Sequence, residues 1–258
     1  MKITVAGYGF VGRAIEAYLK RGKIETKIID PKYYRTTWWK ESPKVYDTNP
    51  DGVIICVNTP QNIDGSCDMS NVFDVVSDTD HKIPILIKST ISIEGWNHLK
   101  VKFPNHIITF SPEFLRAKTA IEDMLASKEI YLGGGHFYWW ERILKQPGIK
   151  ISAFDPEILI LAKYFRNSFL ATKVAFFNQI YDLCEATNVN YNDVSKLITV
   201  DKRIGDSHTN VTDERGFGGH CFPKDMLAIK KTGEQNNVNL SLISEAIKYN
   251  NKIRKVIE

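Results

Sequence analysis

The sequence has few cysteines and no long apolar run. The first shortage argues against a protein stabilised by disulfides or zinc, and the second against a membrane-spanning protein. Its 258 residues include four cysteines, and no two of them are spaced as C-x-x-C. A disulfide framework or a structural zinc site is therefore not expected, which fits a reducing compartment. No apolar run approaches the roughly 20 residues that cross a bilayer. Because glycines also interrupt the N-terminus early, we expect a soluble, cytoplasmic protein without a signal peptide or bound metal.

An excess of charge of one sign is also missing. The 34 Lys and Arg residues stand against 30 Asp and Glu, a formal net charge of +4. The basic side chains are scattered along the chain, so neither nucleic acid nor a membrane is expected as a partner. With 43% hydrophobic and 25% charged residues, the composition is that of a globular protein and excludes collagen-like or disordered chains. The length fits one large domain or two unequal ones.

The first half of the chain alternates short β-rich runs with amphipathic stretches of helical length. This alternation is typical of βαβ units and predicts a mostly parallel, Rossmann-like sheet covered on both faces. We expect strands at residues 3–6, 26–29, 53–55, 84–87, 106–109 and 129–132, and helices at 11–21, 70–79, 94–102 and 136–145.

The pattern changes at Asp155-Pro156, where the aspartate can cap a helix and the proline can occupy its first position. From there to about Ala186 the sequence has no glycine and no further proline. We therefore predict one helix of about 30 residues, followed by shorter helices near 190–199, 225–236 and 241–257. The predicted fold class is α/β: a Rossmann-like sheet domain, residues 1–154, followed by an all-helical domain, residues 155–258, with one long central helix.

Residues 7–12 read GYGFVG, a G-x-G-x-x-G pattern that follows a predicted strand and opens a predicted helix. Such glycines allow a tight turn, close approach of a pyrophosphate, and close packing of helix on strand. Asp30 ends the next strand eighteen residues after Gly12, where a carboxylate binds ribose hydroxyls and repels a 2′-phosphate. The expected cofactor is NAD, bound by Gly7, Gly9, Phe10, Val11, Gly12, Asp30 and Lys32.

Two alternatives to this interpretation stay open. Lys32 and Arg35 are cations close to Asp30, and they leave NADP as a second choice of cofactor. The glycines are also compatible with an ordinary turn beside a strand-end aspartate.

Residues 216–225 read GFGGHCFPKD and place Cys221 after a glycine-rich turn, directly before a helix with an early proline. Backbone N–H groups and the helix dipole favour a thiolate at such a position. Cys221 is therefore a candidate nucleophile, and the alternative is a loop cysteine beside a helix cap.

This segment resembles the GGxCxPKD motif of the UDP-glucose and GDP-mannose 6-dehydrogenases, the nucleotide-sugar dehydrogenase family. The resemblance continues in order along the chain and covers nearly all of it. The further matches are Val57-Asn58-Thr59-Pro60 with the G-x-x-D at residues 65–68, Lys88-Ser89-Thr90, residues 111–116 (SPEFLR), residues 163–173 (KYFRNSFLATK) and Arg203-Ile204-Gly205.

The resemblance implies an NAD-dependent, four-electron oxidation of the C6 alcohol of a nucleotide-sugar to a uronate, with UDP-glucose as the expected substrate. It implies that Cys221 forms a thiohemiacetal and then a thioester, which a water activated by Glu113 cleaves. Lys163 and Asn167, four residues apart on the long helix, would stabilise an oxyanion. The implied catalytic residues are Cys221, Glu113, Lys163, Asn167, Asp225 and Thr90.

The resemblance also implies the residues that hold the substrate and part of the cofactor. Arg203 resembles an arginine that reaches the substrate of a neighbouring subunit, so we expect a homodimer formed through the long helix. Thr59, Pro60 and Thr90 join the expected NAD site. The expected substrate-binding residues are Glu113, Phe114, Leu115, Lys163, Asn167, Arg203, Phe217, Gly218 and Gly219.

Family members continue into a second nucleotide-binding domain beyond the helical region. We therefore expect a short form that lacks this C-terminal domain. Two other functions stay open: a two-electron dehydrogenase of the β-hydroxyacid or 6-phosphogluconate type, and a non-catalytic remnant that binds NAD or a partner protein.

Overall fold

The computed structural model describes residues 1–33 and 44–255. These residues divide into two compact units. The first contains Met1–Asn62 and Cys67–Lys163, and the second contains Ile63–Ser66 and Tyr164–Glu258.

The first unit is built on a seven-stranded sheet with the order β2-β1-β3-β4-β5-β6-β7. Neighbouring strands are parallel except β5 and β6, which are antiparallel. This confirms the prediction of a mostly parallel sheet. The strands are β1 (Lys2–Ala6), β2 (Glu25–Ile29), β3 (Gly52–Ile55), β4 (Ile85–Ile87), β5 (Ile108–Phe110), β6 (Glu129–Gly134) and β7 (Lys150–Ala153).

The strand register brings several loops to one edge of the sheet. Ala6 of β1 pairs with Ile29 of β2 and with Ile55 of β3. Ile55 in turn pairs with Ile87 of β4, and Ile87 with Phe110 of β5. The carboxyl ends of β1 to β5 are therefore level. Because β2 and β3 flank β1 on opposite sides, the loop after β1 lies at the switch point where open parallel sheets bind ligands.

Five helices of the described residues lie wholly within this unit: α1 (Phe10–Arg21), α2 (Ser70–Ser77), α3 (Ile93–Lys102), α4 (Ala120–Ala126) and α5 (Phe137–Leu144). Helix α1 buries one face, with Ala14, Ile15, Tyr18 and Leu19 packed in the core together with Ile3 and Val5 of β1. That spacing is the i, i+1, i+4, i+5 pattern of an amphipathic helix.

The remaining helices are α6 (Pro156–Thr187), α7 (Tyr191–Thr199), α8 (Phe222–Gln235) and α9 (Ser241–Ile253). Helix α6 has 32 residues, which corresponds to a length of about 48 Å, and its early residues belong to the first unit. In the second unit Phe177, Cys184 and Tyr191 form a small buried cluster between α6 and α7.

The sequence prediction missed two short elements and misplaced some ends. Strand β7 has four residues and helix α4 has seven, and both are too short for their periodicity to stand out. Helix α8 begins at Phe222, ahead of the expected residue 225, because the chain enters the helix directly after Cys221. Helix α9 ends at Ile253, short of the expected 257. Within the described ranges, no helix has both the length and the apolar character that crossing a bilayer requires.

Candidate functional site

The glycine loop after β1 has the geometry that its sequence predicts. Gly7 has φ +92, and a Cβ there would lie 2.5 Å from the Cys56 carbonyl oxygen. A Cβ on Gly12 would lie 2.1 Å from the Gly7 carbonyl oxygen, so the first turn of α1 packs directly on the loop. Gly9, the N-cap residue of α1, faces open space. The loop therefore leaves room for a pyrophosphate at the helix N-terminus, which Phe10 and Val11 begin.

The Asp30 carboxylate is fixed beside this loop. Its Oδ2 accepts a hydrogen bond from the Tyr8 backbone N–H at 2.7 Å, and its Oδ1 accepts one from the Lys32 N–H at 2.8 Å. Each carboxylate oxygen has a further lone pair that can accept a ribose hydroxyl. The residues present therefore fit a dinucleotide. Arg35, the other cation considered for the choice between NAD and NADP, lies outside the described residues.

Tyr8, at a variable position of the G-x-G-x-x-G pattern, links the glycine loop to helix α1. Its hydroxyl donates to Glu16 Oε2 at 2.6 Å, and this bond, with burial as a second cause, raises the pKa of Tyr8 to about 12. The Tyr33 ring packs edge-on against Tyr8 at a centroid distance of 5.7 Å. The side chain at the variable position of the motif thus braces α1 against the turn after β2.

Thr59 and Thr90, two expected cofactor residues, are joined across neighbouring strand ends. The buried Thr59 Oγ1 donates to the Thr90 carbonyl at 2.8 Å. Ser89 Oγ donates to the Val57 carbonyl at 2.7 Å and makes a second link between the same loops. Pro60 is exposed beside Thr59.

A buried ion pair joins the loop after β5 to helix α6. Lys163 Nζ lies 2.6 Å from Glu113 Oε1, and both side chains are 5% exposed. Glu113 Oε2 accepts the Leu115 N–H at 2.7 Å. The Phe114 ring lies 5.8 Å from Lys163 Nζ and covers the pair from one side. Both oxygens of the Glu113 carboxylate are thus held in place.

Lys88 is a second buried lysine in this unit, and its sequence motif alone does not indicate a role for it. Its Nζ donates to the Ser111 carbonyl at 3.2 Å and to Ser111 Oγ at 3.1 Å. Burial and the charge of Lys163 lower the pKa of Lys88, while Cys56 and Glu113 act in the opposite direction. The contiguous K-S-T sequence was the available signal, but only the structure reveals the burial.

Cys221 lies at the N-cap of α8 and is partly exposed, with no disulfide. Its carbonyl accepts the Asp225 N–H at 2.9 Å, the first bond of the helix. The Asp225 side chain is 1% exposed. Its Oδ2 accepts from Asn167 Nδ2 at 2.7 Å, and its Oδ1 accepts from Lys224 Nζ at 2.7 Å. Asn167, Asp225 and Cys221 therefore form one connected group in the second unit.

The loop before Cys221 contains the other expected substrate residues. Phe217 is buried, and its N–H donates to Asn250 Oδ1 at 2.7 Å. A Cβ on Gly218 would lie 2.3 Å from the Arg254 guanidinium, whereas Gly219, with φ +76, faces open space.

Arg203 follows helix α7 in the second unit. Its side chain is 90% exposed and pairs with Asp201 at 2.5 Å. Lys173 of α6 donates to the carbonyls of Ile204 at 2.7 Å and Gly205 at 3.1 Å and so anchors the turn that follows Arg203. Lys163 and Asn167, four residues apart on α6, each bind a different carboxylate, Glu113 and Asp225 respectively.

Comparison with known protein families accounts for this combination of a dinucleotide loop and a cysteine at a helix N-terminus. Residues 41–137 match the NAD binding domain of the UDP-glucose/GDP-mannose dehydrogenase family, and residues 160–252 match its central domain. The two matches together cover well over half of the chain. The chain belongs to the UDP-glucose/GDP-mannose dehydrogenase family. NAD is accordingly its cofactor. The first match begins after the glycine loop, so the geometry of that loop is independent support.

Relatives with curated names agree with this assignment. A UDP-glucose 6-dehydrogenase of Rickettsia felis is 35% identical over 216 residues, covering 78% of this chain and 48% of the relative. A UDP-glucose 6-dehydrogenase of Campylobacter jejuni is 28% identical, covering 99% of this chain and 73% of the relative. The chain spans about half the length of the first curated relatives that it matches.

Solved structures share the fold. A UDP-glucose dehydrogenase from Pyrobaculum islandicum superposes with a TM-score of 0.85 at 23% identity, covering 97% of this chain and 68% of that one. A 3-hydroxyisobutyrate dehydrogenase from Mycobacterium tuberculosis has a TM-score of 0.74 at 17% identity, covering 97% and 92%. These likenesses confirm the predicted class, a Rossmann-like domain followed by a helical one.

Proposed function

We propose that this chain catalyses the NAD-dependent, four-electron oxidation of a nucleotide-sugar C6 alcohol to a uronate, with UDP-glucose as substrate. The observation that supports this most directly is the group around Cys221: a partly exposed thiol at a helix N-terminus, one turn from a buried Asp225 held by Asn167. We further propose that residues 1–154 form the NAD-binding domain and residues 155–258 the helical domain.

The proposed NAD site consists mainly of the backbone of the glycine loop and the Asp30 carboxylate. When bound, NAD supplies the hydride acceptor. Gly7, Gly9 and Gly12 present an unobstructed helix N-terminus to the phosphates, and Asp30 presents a fixed acceptor to ribose hydroxyls. Thr59, Pro60 and Thr90 follow the neighbouring strands at the same sheet edge, where the rest of a dinucleotide extends.

Cys221 acts as the covalent nucleophile in the second oxidation. Its thiolate adds to the aldehyde carbon, and the resulting thiohemiacetal loses a hydride to become a thioester. Water then adds to the thioester carbonyl, the C–S bond breaks, and the sugar leaves as a carboxylate while the thiolate is restored. In total, two hydrides leave the substrate, and the second carboxylate oxygen comes from water. Asn167 holds the Asp225 carboxylate, and this carboxylate polarises the reacting groups one helical turn from Cys221.

Glu113 is the proposed base for the water. Its two oxygens are fixed by Lys163 Nζ and the Leu115 N–H, so the carboxylate cannot rotate freely. An oriented carboxylate loses little entropy when it takes a proton from water. Thr90, whose carbonyl is tied to Thr59, is proposed to orient the same water. Phe114 and Leu115 are proposed to contact the substrate.

We also propose a homodimer formed through α6. Phe165, Phe169, Phe176 and Leu183 of this helix are exposed, and their spacing of four, seven and seven residues places them on one face. An exposed apolar stripe of this kind is typical of an interface, and a second copy of the chain would cover it. In such a dimer Arg203 is proposed to reach the substrate of the neighbouring subunit.

Molar mass by light scattering tests the dimer. Phe169→Glu should yield monomers, because the charge would be buried in the interface. The control is Val101→Glu: Val101 lies on α3 and is 78% exposed, so this variant should leave the molar mass unchanged. A wild-type protein that is monomeric at all concentrations would overturn the proposal.

NADH stoichiometry tests the activity. With limiting UDP-glucose, absorbance should report two NADH per substrate, and mass spectrometry should identify the uronate. Cys221→Ala should abolish the second NADH. Turnover with one NADH that survives Cys221→Ala would indicate the two-electron alternative, a chemistry of the class named for the Mycobacterium tuberculosis protein of the same fold. Binding of NAD without turnover across UDP-, GDP- and ADP-sugars would indicate the non-catalytic alternative.

A further inference from the structure

The segment before the candidate nucleophile is held by two buried asparagines from two different helices. Asn178 of α6 accepts the Gly216 N–H through its Oδ1 at 3.1 Å, and Asn250 of α9 accepts the Phe217 N–H through its Oδ1 at 2.7 Å. Both asparagine side chains are almost fully buried. The consecutive backbone N–H groups of Gly216 and Phe217 therefore donate to side-chain amides, and both residues lie outside the helices and strands.

The Asn178 amide is itself held in a fixed orientation, and the Asn250 amide is packed against the segment. Asn178 Nδ2 donates to the Val174 carbonyl at 2.9 Å, and its Oδ1 also accepts from Arg215 Nε at 2.9 Å. Asn250 Oδ1 lies so close to Gly216 that a Cβ there would be 2.2 Å away. Asn178 is thus an oriented acceptor, and Asn250 accepts its bond in close contact with Gly216.

The end of α9 adds two more bonds to the same segment. Arg254 Nη1 donates to the Arg215 carbonyl at 2.8 Å, and the Lys255 N–H donates to the Glu214 carbonyl at 2.9 Å. Four consecutive residues, 214–217, each make a tertiary backbone hydrogen bond. We call this stretch the clamped segment.

The backbone conformation explains why so many bonds are needed. Arg215 and Gly216 both have φ +57, the left-handed region that a residue with a side chain rarely adopts. A strained residue of this kind persists only where its surroundings over-determine it, and such positions cluster at functional sites. The clamped segment leads within four residues to Cys221, through Gly218 and Gly219.

We propose that Asn178 and Asn250 are positioning residues that fix the clamped segment and thereby set the placement of the following loop and of Cys221. The inference rests on the proposed function for the role of Cys221. In this role each asparagine acts through the backbone N–H whose hydrogen bond it accepts. Loss of either acceptor frees the segment to leave its left-handed conformation.

The test compares isosteric variants of Asn250. Asn250→Asp keeps an oxygen acceptor, and Asn250→Leu removes it at similar size. Ser244→Ala is the control within the same helix, because it removes the bond from Ser244 Oγ to the Leu240 carbonyl at 3.1 Å, and that bond involves no residue of the clamped segment. Hydrogen exchange of the peptide that contains residues 216–221, the rate of Cys221 alkylation by iodoacetamide, and kcat and KM for UDP-glucose are measured for each protein.

We expect Asn250→Leu to speed exchange at Phe217 about tenfold, which corresponds to the loss of one hydrogen bond, to change the alkylation rate and to lower kcat/KM. Asn250→Asp should restore all three, and Ser244→Ala should behave as wild type. Unchanged exchange and alkylation in Asn250→Leu, or an equal change in Ser244→Ala, would overturn the proposal. Absence of turnover in the wild type would remove the proposed function alone, since exchange and alkylation decide the positioning role without substrate.

Discussion

Breaking the buried pair between Lys163 and Glu113 should cost far more stability than breaking an exposed pair of the same chemistry. In Lys163→Met the Glu113 carboxylate, 5% exposed, loses its ion-pair partner and keeps the Leu115 N–H at 2.7 Å. A charge left buried after loss of its partner costs about 3–5 kcal/mol of unfolding free energy. Lys100 and Glu157 form the comparison pair at 2.9 Å, with side chains 50% and 40% exposed. Lys100→Met should cost no more than about 1 kcal/mol.

Urea unfolding followed by fluorescence measures both effects. The midpoint should fall strongly for Lys163→Met and slightly for Lys100→Met, at an unchanged slope. The double variant Glu113→Gln with Lys163→Met should recover most of the loss, because it removes the buried carboxylate that Lys163→Met leaves without its partner. Equal, small losses in the two lysine variants would refute the reasoning, since the buried carboxylate would then have found another partner or solvent.

Two further predictions concern the glycine loop and acid stability. Gly12→Ala places a Cβ 2.1 Å from the Gly7 carbonyl oxygen and should lower the unfolding midpoint, whereas Gly9→Ala, which faces open space, should keep the midpoint and weaken NAD binding in a calorimetric titration. The Arg116 hydrogen bond lowers the pKa of Asp123 from 3.8 to about 2, so its stabilisation is present above pH 3.8 and is lost as pH falls towards 2. Asp123→Asn should make the urea midpoint less dependent on pH over that window. An unchanged dependence of the midpoint on pH would contradict this prediction.

Much of the fold follows from local patterns. The long helix, Pro156–Thr187, was predictable because Asp155-Pro156 starts it and no glycine interrupts it. The alternation of β-rich and amphipathic runs likewise predicted the parallel sheet. Strand β7 and the antiparallel direction of β6 were not predictable, since a four-residue edge strand has too few positions to show a period and strand direction is set by tertiary packing.

The candidate site was partly readable in the same way. The glycine loop, Asp30 and Cys221 belong to contiguous motifs whose chemistry depends on backbone close by. The roles of other residues around the site cannot be read from such a motif. Lys88 looks like any other lysine until its burial is known, and Asn250 contacts Phe217 across 33 positions of sequence. Such roles arise from tertiary structure, which a single sequence does not encode in any local pattern.

The contact between Gly216 and Asn250 also constrains how this protein can evolve. An alanine methyl at position 216 and the amide oxygen of Asn250 would compete for the same volume. A lineage that replaces the glycine first must lose the bond to Phe217, and one that shortens the asparagine first must accept a loosened loop. Gly216 and Asn250 are therefore expected to be retained together. A substitution at one of them should be tolerated only when the other is substituted as well.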